Sequence, residues 1–189
     1  IEINENNLYV KEGKINIGFS AYIDELKGWR LLADAYTHME KEAKEKCCLY
    51  FAGEIDKKDE QDFKNFIDKE KAVYLGYIQD AGKNFIPFLD ILVLPSRTEG
   101  LPISILEAMQ QGVIPVATNV GGISEVIDNQ KTGFLIFREA DYLKNVLENL
   151  VKNPKLRKVI KANTKIIYQK KHTAKIMNIN YQKIYKRGE

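Results

Sequence analysis

The chain has 189 residues, 44% of them hydrophobic, which suits one domain with a sizeable core and is too apolar for a disordered segment. Its net charge of +3 is unevenly spread: residues 1–150 carry 17 basic and 25 acidic side chains, whereas residues 152–187 carry twelve Lys or Arg and no Asp or Glu. No apolar run approaches the roughly 18 residues that cross a bilayer, and no signal peptide pattern is visible.

The chain opens at Ile1, so an upstream segment is expected to have been removed. Cys47 and Cys48 are adjacent in an apolar run; neighbours on a strand face opposite ways and cannot readily pair. With His38 and His172 far apart, no metal-ligand spacing exists. A reduced cytoplasmic protein without a structural zinc is expected.

In chain order, a polar stretch up to Gly13 reads as linker, followed by short apolar runs alternating with amphipathic ones. Strands are predicted over 15–20, 47–52, 72–75, 90–94, 113–118 and 133–137. Helices are predicted over 29–42, 58–69, 83–89, 102–111 and 123–127. Runs such as Ile91-Leu92-Val93-Leu94 are apolar at every position, so both faces should be covered, as in a central parallel strand. This alternation predicts an α/β fold, a doubly wound parallel sheet of about six strands. Beyond residue 137 only helices are predicted, over 141–151, 154–169 and 173–187, with Pro154 opening one and Thr173 capping another.

Ligands of such sheets bind beyond the carboxyl ends of the strands. After the fourth strand comes Pro95-Ser96-Arg97-Thr98-Glu99-Gly100-Leu101-Pro102, then a helix ending before Gly112. Pro102 suits the first helical position, and N–H groups around Gly100, Leu101 and Ile103, with the helix dipole, offer an anion site. Glu99 stands at its mouth, where a carboxylate can accept from vicinal hydroxyls. Glu107 lies about a turn and a half further on, among Ile103, Ile105, Leu106, Ala108 and Met109, and a carboxylate there is costly unless it reaches a polar partner. The plainer alternative is that Glu99 caps the helix and Glu107 faces water.

The run Glu99-Gly100-Leu101-Pro102-Ile103-Ser104-Ile105-Leu106-Glu107-Ala108-Met109, with Gly112-Val113-Ile114-Pro115-Val116 after it, closely resembles the signature of family 4 glycosyltransferases. Further pieces fall in the family's order: Lys27-Gly28, Gly76-Tyr77, Pro95-Ser96, Gly121-Gly122-Ile123-Ser124-Glu125 and Thr132-Gly133-Phe134-Leu135. Several ordered motifs are far more specific than one pattern.

The resemblance implies the C-terminal, donor-binding domain of a retaining enzyme with the GT-B fold of two Rossmann-like domains. It divides the chain into a linker at 1–13, a nucleotide-sugar-binding domain at 14–152 and basic helices at 153–189. It implies that Glu99 contacts the donor sugar, Glu107 the ribose, and the backbone from Gly100 through Leu101 and Pro102 to Ile103 the sugar and distal phosphate. Lys27 would lie against the diphosphate, where a fixed ammonium stabilises the departing charge, so Lys27 and Glu99 are the expected catalytic pair. Tyr77 and Ile78 would wall the base pocket, with a core aromatic as the alternative reading of Tyr77. The expected substrate is a UDP- or GDP-sugar, with no cofactor and no metal. The partner would be an N-terminal acceptor-binding domain.

The sequence departs from the family at Tyr22, where an Arg five residues before the lysine is usual; spacing does not show whether Arg30 or Arg97 substitutes. That departure supports the alternative of a non-catalytic nucleotide-binding or scaffolding module. An NAD or ATP enzyme is disfavoured, because no Gly-x-Gly-x-x-Gly or Gly-Lys-Ser/Thr loop is present. The basic tail has two readings: contact with an anionic membrane surface, placing the protein at the inner face of the membrane, or solvated helices packed on a second domain. Nucleic acid is not an expected partner, since no recognition motif accompanies the charge.

Overall fold

The computed structural model describes residues 13–100, 102–173 and 176. Six parallel strands, β1 (Ile15–Ser20), β2 (Cys47–Ala52), β3 (Val73–Tyr74), β4 (Ile91–Leu94), β5 (Ile114–Thr118) and β6 (Phe134–Ile136), lie in the order β3-β2-β1-β4-β5-β6. The predicted doubly wound Rossmann-like sheet is therefore observed.

Side-chain alternation along the strands feeds two cores. Ile17, Phe19, Leu49, Phe51, Ile91, Val93, Ile114 and Val116 point to one face. There they meet Trp29 and Leu32 of α1 (Trp29–Thr37), Phe63 of α3 (Glu60–Glu70) and Leu143 and Leu147 of α7 (Ala140–Lys152). Tyr50, Ala52 and Leu92 point to the other, against Phe85, Ile86 and Ala108, while Leu94 and Ala117 join Ile105, Met109 and Ile123. The helices of that second face are α4 (Ala81–Asn84), α5 (Ile103–Gln111) and α6 (Ile123–Val126), while α8 (Pro154–Lys171) gives Ile160 to the first core and Ile167 and Tyr168 to this side. Gly18 belongs there too: a Cβ would lie 2.3 Å from Leu89, so the missing side chain is what admits Leu89 to the sheet.

Several predicted helices are redrawn. The single helix expected over 29–42 is broken into α1 and α2 (Lys41–Glu45). Glu40 between them is extended, and its N–H donates to Glu148 Oε1 at 2.7 Å, so a carboxylate of α7 replaces the intrahelical acceptor. The helix expected over 83–89 becomes α4 and a 3-10 turn at Ile86–Phe88, because Pro87 lacks an N–H and disfavours helical geometry before it. Pro102 flanks α5 with extended ψ rather than opening it, though its carbonyl accepts from the Ile105 N–H at 3.1 Å. Gly112, at φ 74°, closes α5 in the left-handed conformation that a side chain disfavours and turns the chain into β5.

At the amino edge of the sheet, Asp90 accepts from the Asn16 N–H at 2.8 Å and from Lys161 Nζ at 2.5 Å, tying α8 to β1 and β4. Pro154 does open α8, and the Asn153 side chain accepts from the Leu156 N–H at 3.0 Å. Of the helix expected over 173–187, Thr173 Oγ1 accepts from the Ile176 N–H at 3.4 Å. The rest of it, and residues 1–12 of the expected linker, lie outside the described residues.

Phe51 is fully buried at the centre of an aromatic cluster, with ring centroids 5.5 Å from Phe19, 5.1 Å from Phe63 and 5.9 Å from Phe66. Phe51→Ala should cost about 3–5 kcal/mol, read as a fall in the urea midpoint. Burial pushes the Cys47 thiol up to about 11, so it holds its proton at neutral pH and is a poor nucleophile. Alkylation followed by mass spectrometry should label the half-buried Cys48 first and leave Cys47 unmodified until the fold opens.

Candidate functional site

Strand order reverses between β1 and β4, so the connections leaving their carboxyl ends part in opposite directions and open a crevice. The loop after β4 is clasped there from both sides. On one side Gly28, at φ 80°, lies so near that a Cβ would be 2.2 Å from the Pro95 carbonyl, and the Arg97 N–H donates to the Leu26 carbonyl at 2.8 Å. On the other, a Cβ on Gly121, at φ 56°, would be 1.8 Å from the Glu99 carbonyl, and the Gly122 N–H donates to the Gly100 carbonyl at 2.9 Å. From β5, Thr118 Oγ1 donates to the Ser96 carbonyl at 2.6 Å.

This clasp presents Glu99. Its Oε1 accepts from Lys27 Nζ at 2.8 Å and from the buried Ser96 hydroxyl at 2.7 Å, and its side chain is only 8% exposed. Oε2 has no hydrogen-bond partner among the described residues. Lys27 is itself positioned through its backbone, which donates to Asp24 Oδ1 at 2.7 Å. The two predicted catalytic residues, 72 positions apart, thus form one ion pair.

Beside it, a cleft of about 390 Å³ opens between the ends of β1, β2 and β3. Tyr22, Glu54, Tyr77 and Ile78 are among its walls. Gly53, also in its lining, lies against Ala21, whose carbonyl would be 1.9 Å from a Cβ. Glu107 is half-buried on α5, its Oε1 2.3 Å from where a Cβ on Gly82 would be; Ala81, the next residue, lines the cleft. Tyr77 is well exposed at the rim rather than packed in the core, while Ile78 packs against the Tyr50–Phe85 cluster.

Of the backbone positions, Gly100 and Ile103 are exposed and Pro102 half-buried, all on the crevice side of the clasp or at the start of α5; Leu101 lies outside the described residues. Tyr22 sits in the cleft wall. Desolvation, then the carboxylates of Asp56, Glu54 and Asp24, raise its phenol above its ordinary value. Both arginines considered as substitute cations are paired with carboxylates: Arg30 Nη2 binds Asp59 at 2.6 Å and Asp62 at 2.8 Å, and Arg97 pairs with Glu25.

Two residues escaped the sequence reading. Ser96 was seen only as part of a motif, although a serine three before a carboxylate in a tight loop is a recognisable partner. Arg138 has no such signal. It reaches back from the end of β6 to donate to the Pro95 carbonyl at 2.6 Å, and desolvation and the neighbouring Arg97 lower its guanidinium below its ordinary value.

The clasp makes a sharp contrast between two glycines. Gly121→Ala must move the Glu99 carbonyl and also occupy a left-handed position, and should destabilise the fold by about 1–3 kcal/mol. Gly100→Ala meets nothing within 4 Å and should stay within about 0.5 kcal/mol of the parent in the same urea titration.

Comparison with known proteins gives the same outline. The family model for glycosyl transferases group 1 matches residues 1–166. A glycogen synthase of Chlorobium chlorochromatii is 34% identical over 140 residues, covering 70% of this chain and 28% of its own length. An uncharacterized glycosyltransferase of Methanocaldococcus jannaschii is 28% identical over 190 residues, covering 97% of this chain and 51% of its own. Among solved structures, Anabaena HepE in complex with UDP and glucose superposes with a TM-score of 0.77 at 20% identity, over 93% of this chain and 48% of that one. The C-terminal domain of a glycosyl transferase group 1 family protein from Francisella tularensis superposes at 0.75 with 24% identity, over 86% of this chain and 88% of that one. The chain spans about half, or less, of the curated relatives named here.

Proposed function

The chain belongs to the glycosyl transferases group 1 family, and we propose that it is the donor-binding domain of a retaining hexosyltransferase using a UDP- or GDP-sugar. The observation that carries this reading is the Lys27–Glu99 pair held on a clasped loop at the crevice, with one carboxylate oxygen of Glu99 unpartnered among the described residues. In the proposed complex, that oxygen accepts from a hydroxyl of the donor sugar. Lys27 exchanges its carboxylate partner for the diphosphate and stabilises the negative charge that grows on it as the glycosidic bond breaks. Tyr77 and Ile78 flank the base, and Glu107, behind Ala81 and Gly82, takes the ribose.

The second half of the reading is an acceptor-binding domain facing the same edge. Tyr22, Leu26, Tyr77, Ile103 and Phe137 are all large, exposed apolar residues on connections past the carboxyl ends of the strands. Such a rim fits closure of a second domain over the crevice. The hexose would be transferred to a polysaccharide, a glycolipid or a similar acceptor, and the 189-residue chain by itself would bind donor without transferring sugar.

Tyr22 favours a second reading, a nucleotide-binding module without transfer, since the cleft there is lined by a phenol among carboxylates. Calorimetry on the 189-residue chain tests the binding that both readings share. UDP or GDP should bind, and Glu107→Ala should weaken it about 10- to 100-fold, as loss of a hydrogen bond to a charged group predicts. Absence of binding by both nucleotides at millimolar concentration removes the site assignment. Lys27→Ala should weaken the diphosphates while leaving uridine or guanosine binding unchanged; equal losses for nucleoside and nucleotide would place the lysine outside the phosphate site.

A further inference from the structure

Helix α8 packs inward through Ile160 and Thr164, both fully buried. Its opposite side carries Val159, 58% exposed, Ala162, and Ile166, 46% exposed. Their spacing of three and four residues sets them in one outward row. Lys155, Lys158, Lys165 and Lys170 are exposed along the same side.

The helix holds seven cations and no carboxylate. Two are spent on the fold: Lys161 on Asp90, and Arg157 on the Leu150 and Val151 carbonyls. The other five, Lys155, Lys158, Lys165, Lys170 and Lys171, have no carboxylate within ion-pair distance among the described residues. The helix climbs one flank of the domain. Lys161 meets Asp90 just before β4, while Ile167 and Tyr168 pack beside Leu94 and Ala117 at the carboxyl ends of β4 and β5.

We propose that the outer face of α8 is a docking surface for an anionic phospholipid bilayer. An apolar row flanked by lysines is the pattern of a helix lying in a lipid interface, its apolar side chains at the acyl boundary and its ammonium groups among the headgroups. A protein partner fits less well, because lysine is depleted in the cores of protein interfaces. A nucleic acid would use the lysines and leave Val159 and Ile166 without a role. No helix among the described residues is long and apolar enough to cross a membrane, so the contact is with a surface. On this flank, a bilayer leaves the carboxyl edge of the sheet open. The inference is independent of what the crevice binds.

Co-sedimentation of the 189-residue chain with vesicles tests it, at about 0.15 M salt, where distant charge attraction is screened. The chain should pellet with phosphatidylcholine vesicles containing phosphatidylglycerol and remain in solution with phosphatidylcholine alone. Lys158→Gln with Lys165→Gln should weaken the partitioning by about 25-fold, roughly five-fold per lysine. Val159→Ser with Ile166→Ser should weaken it as well. All four positions are exposed or solvent-facing, and an unchanged circular-dichroism melt confirms that each variant is folded. Equal binding to neutral vesicles, no binding to the mixed ones, or undiminished binding by either folded double variant overturns the proposal. Binding of an RNA or DNA duplex without vesicle binding overturns it in favour of a nucleic-acid surface.

Discussion

Backbone meets backbone at two points around residues 95–100, and the geometry of the crevice follows from that closeness. Gly28 presses on the Pro95 carbonyl and Gly121 on the Glu99 carbonyl, with no room for a Cβ at either contact. A loop held so tightly has few conformations left to lose when a ligand arrives, which is the sense in which a site is preorganised. The sheet sets this up. Only where β1 and β4 are neighbours do the turns into α1 and α5 lie close enough to be bonded together, as Arg97 and Leu26 are.

Both signs of charge meet at the clasp, where Glu99 binds the Lys27 ammonium and Asp24 accepts from the Lys27 N–H. Lys27 and Arg138 stand around the clasp, while Asp24, Glu54 and Asp56 surround Tyr22 at the cleft. The phenol and carboxylates of the cleft suit groups that donate hydrogen bonds or stack. Where the resemblance implies a guanidinium, Tyr22 presents an aromatic face instead. Arg138, beside Gly28, donates to the Pro95 carbonyl and is bound to no carboxylate among the described residues. Lys27 and Glu99 neutralise each other, so the pair does not present a bare buried charge.

Much of the fold was legible because burial imposes a period on the chain. The unbroken apolar run Ile91–Leu94 marked a strand covered on both faces, and it is the strand beside the switch point. The segments carrying Glu99, Glu107, Lys27 and Tyr77 were legible because they follow strands. What could not be read were partnerships between distant residues. The break between α1 and α2 depends on a carboxylate 108 residues away, and the Lys27–Glu99 bond joins motifs that look independent in sequence. Arg30 and Arg97 looked equally available until Asp59, Asp62 and Glu25 were seen beside them. Local spacing carries information about periodicity and turns; it carries little about which side chains meet across a sheet.

Gly28, Gly53 and Gly121 also bear on how such a site can change over generations. Each occupies a left-handed or related backbone conformation against a carbonyl oxygen. Every single-base change in a glycine codon that alters the residue adds a Cβ, and here the first atom added is already too many. The three turns are therefore closed to ordinary drift. Variation in what the crevice accepts has to enter through positions whose side chains point into open space, such as Tyr22 and Tyr77, and leave the framework behind them untouched.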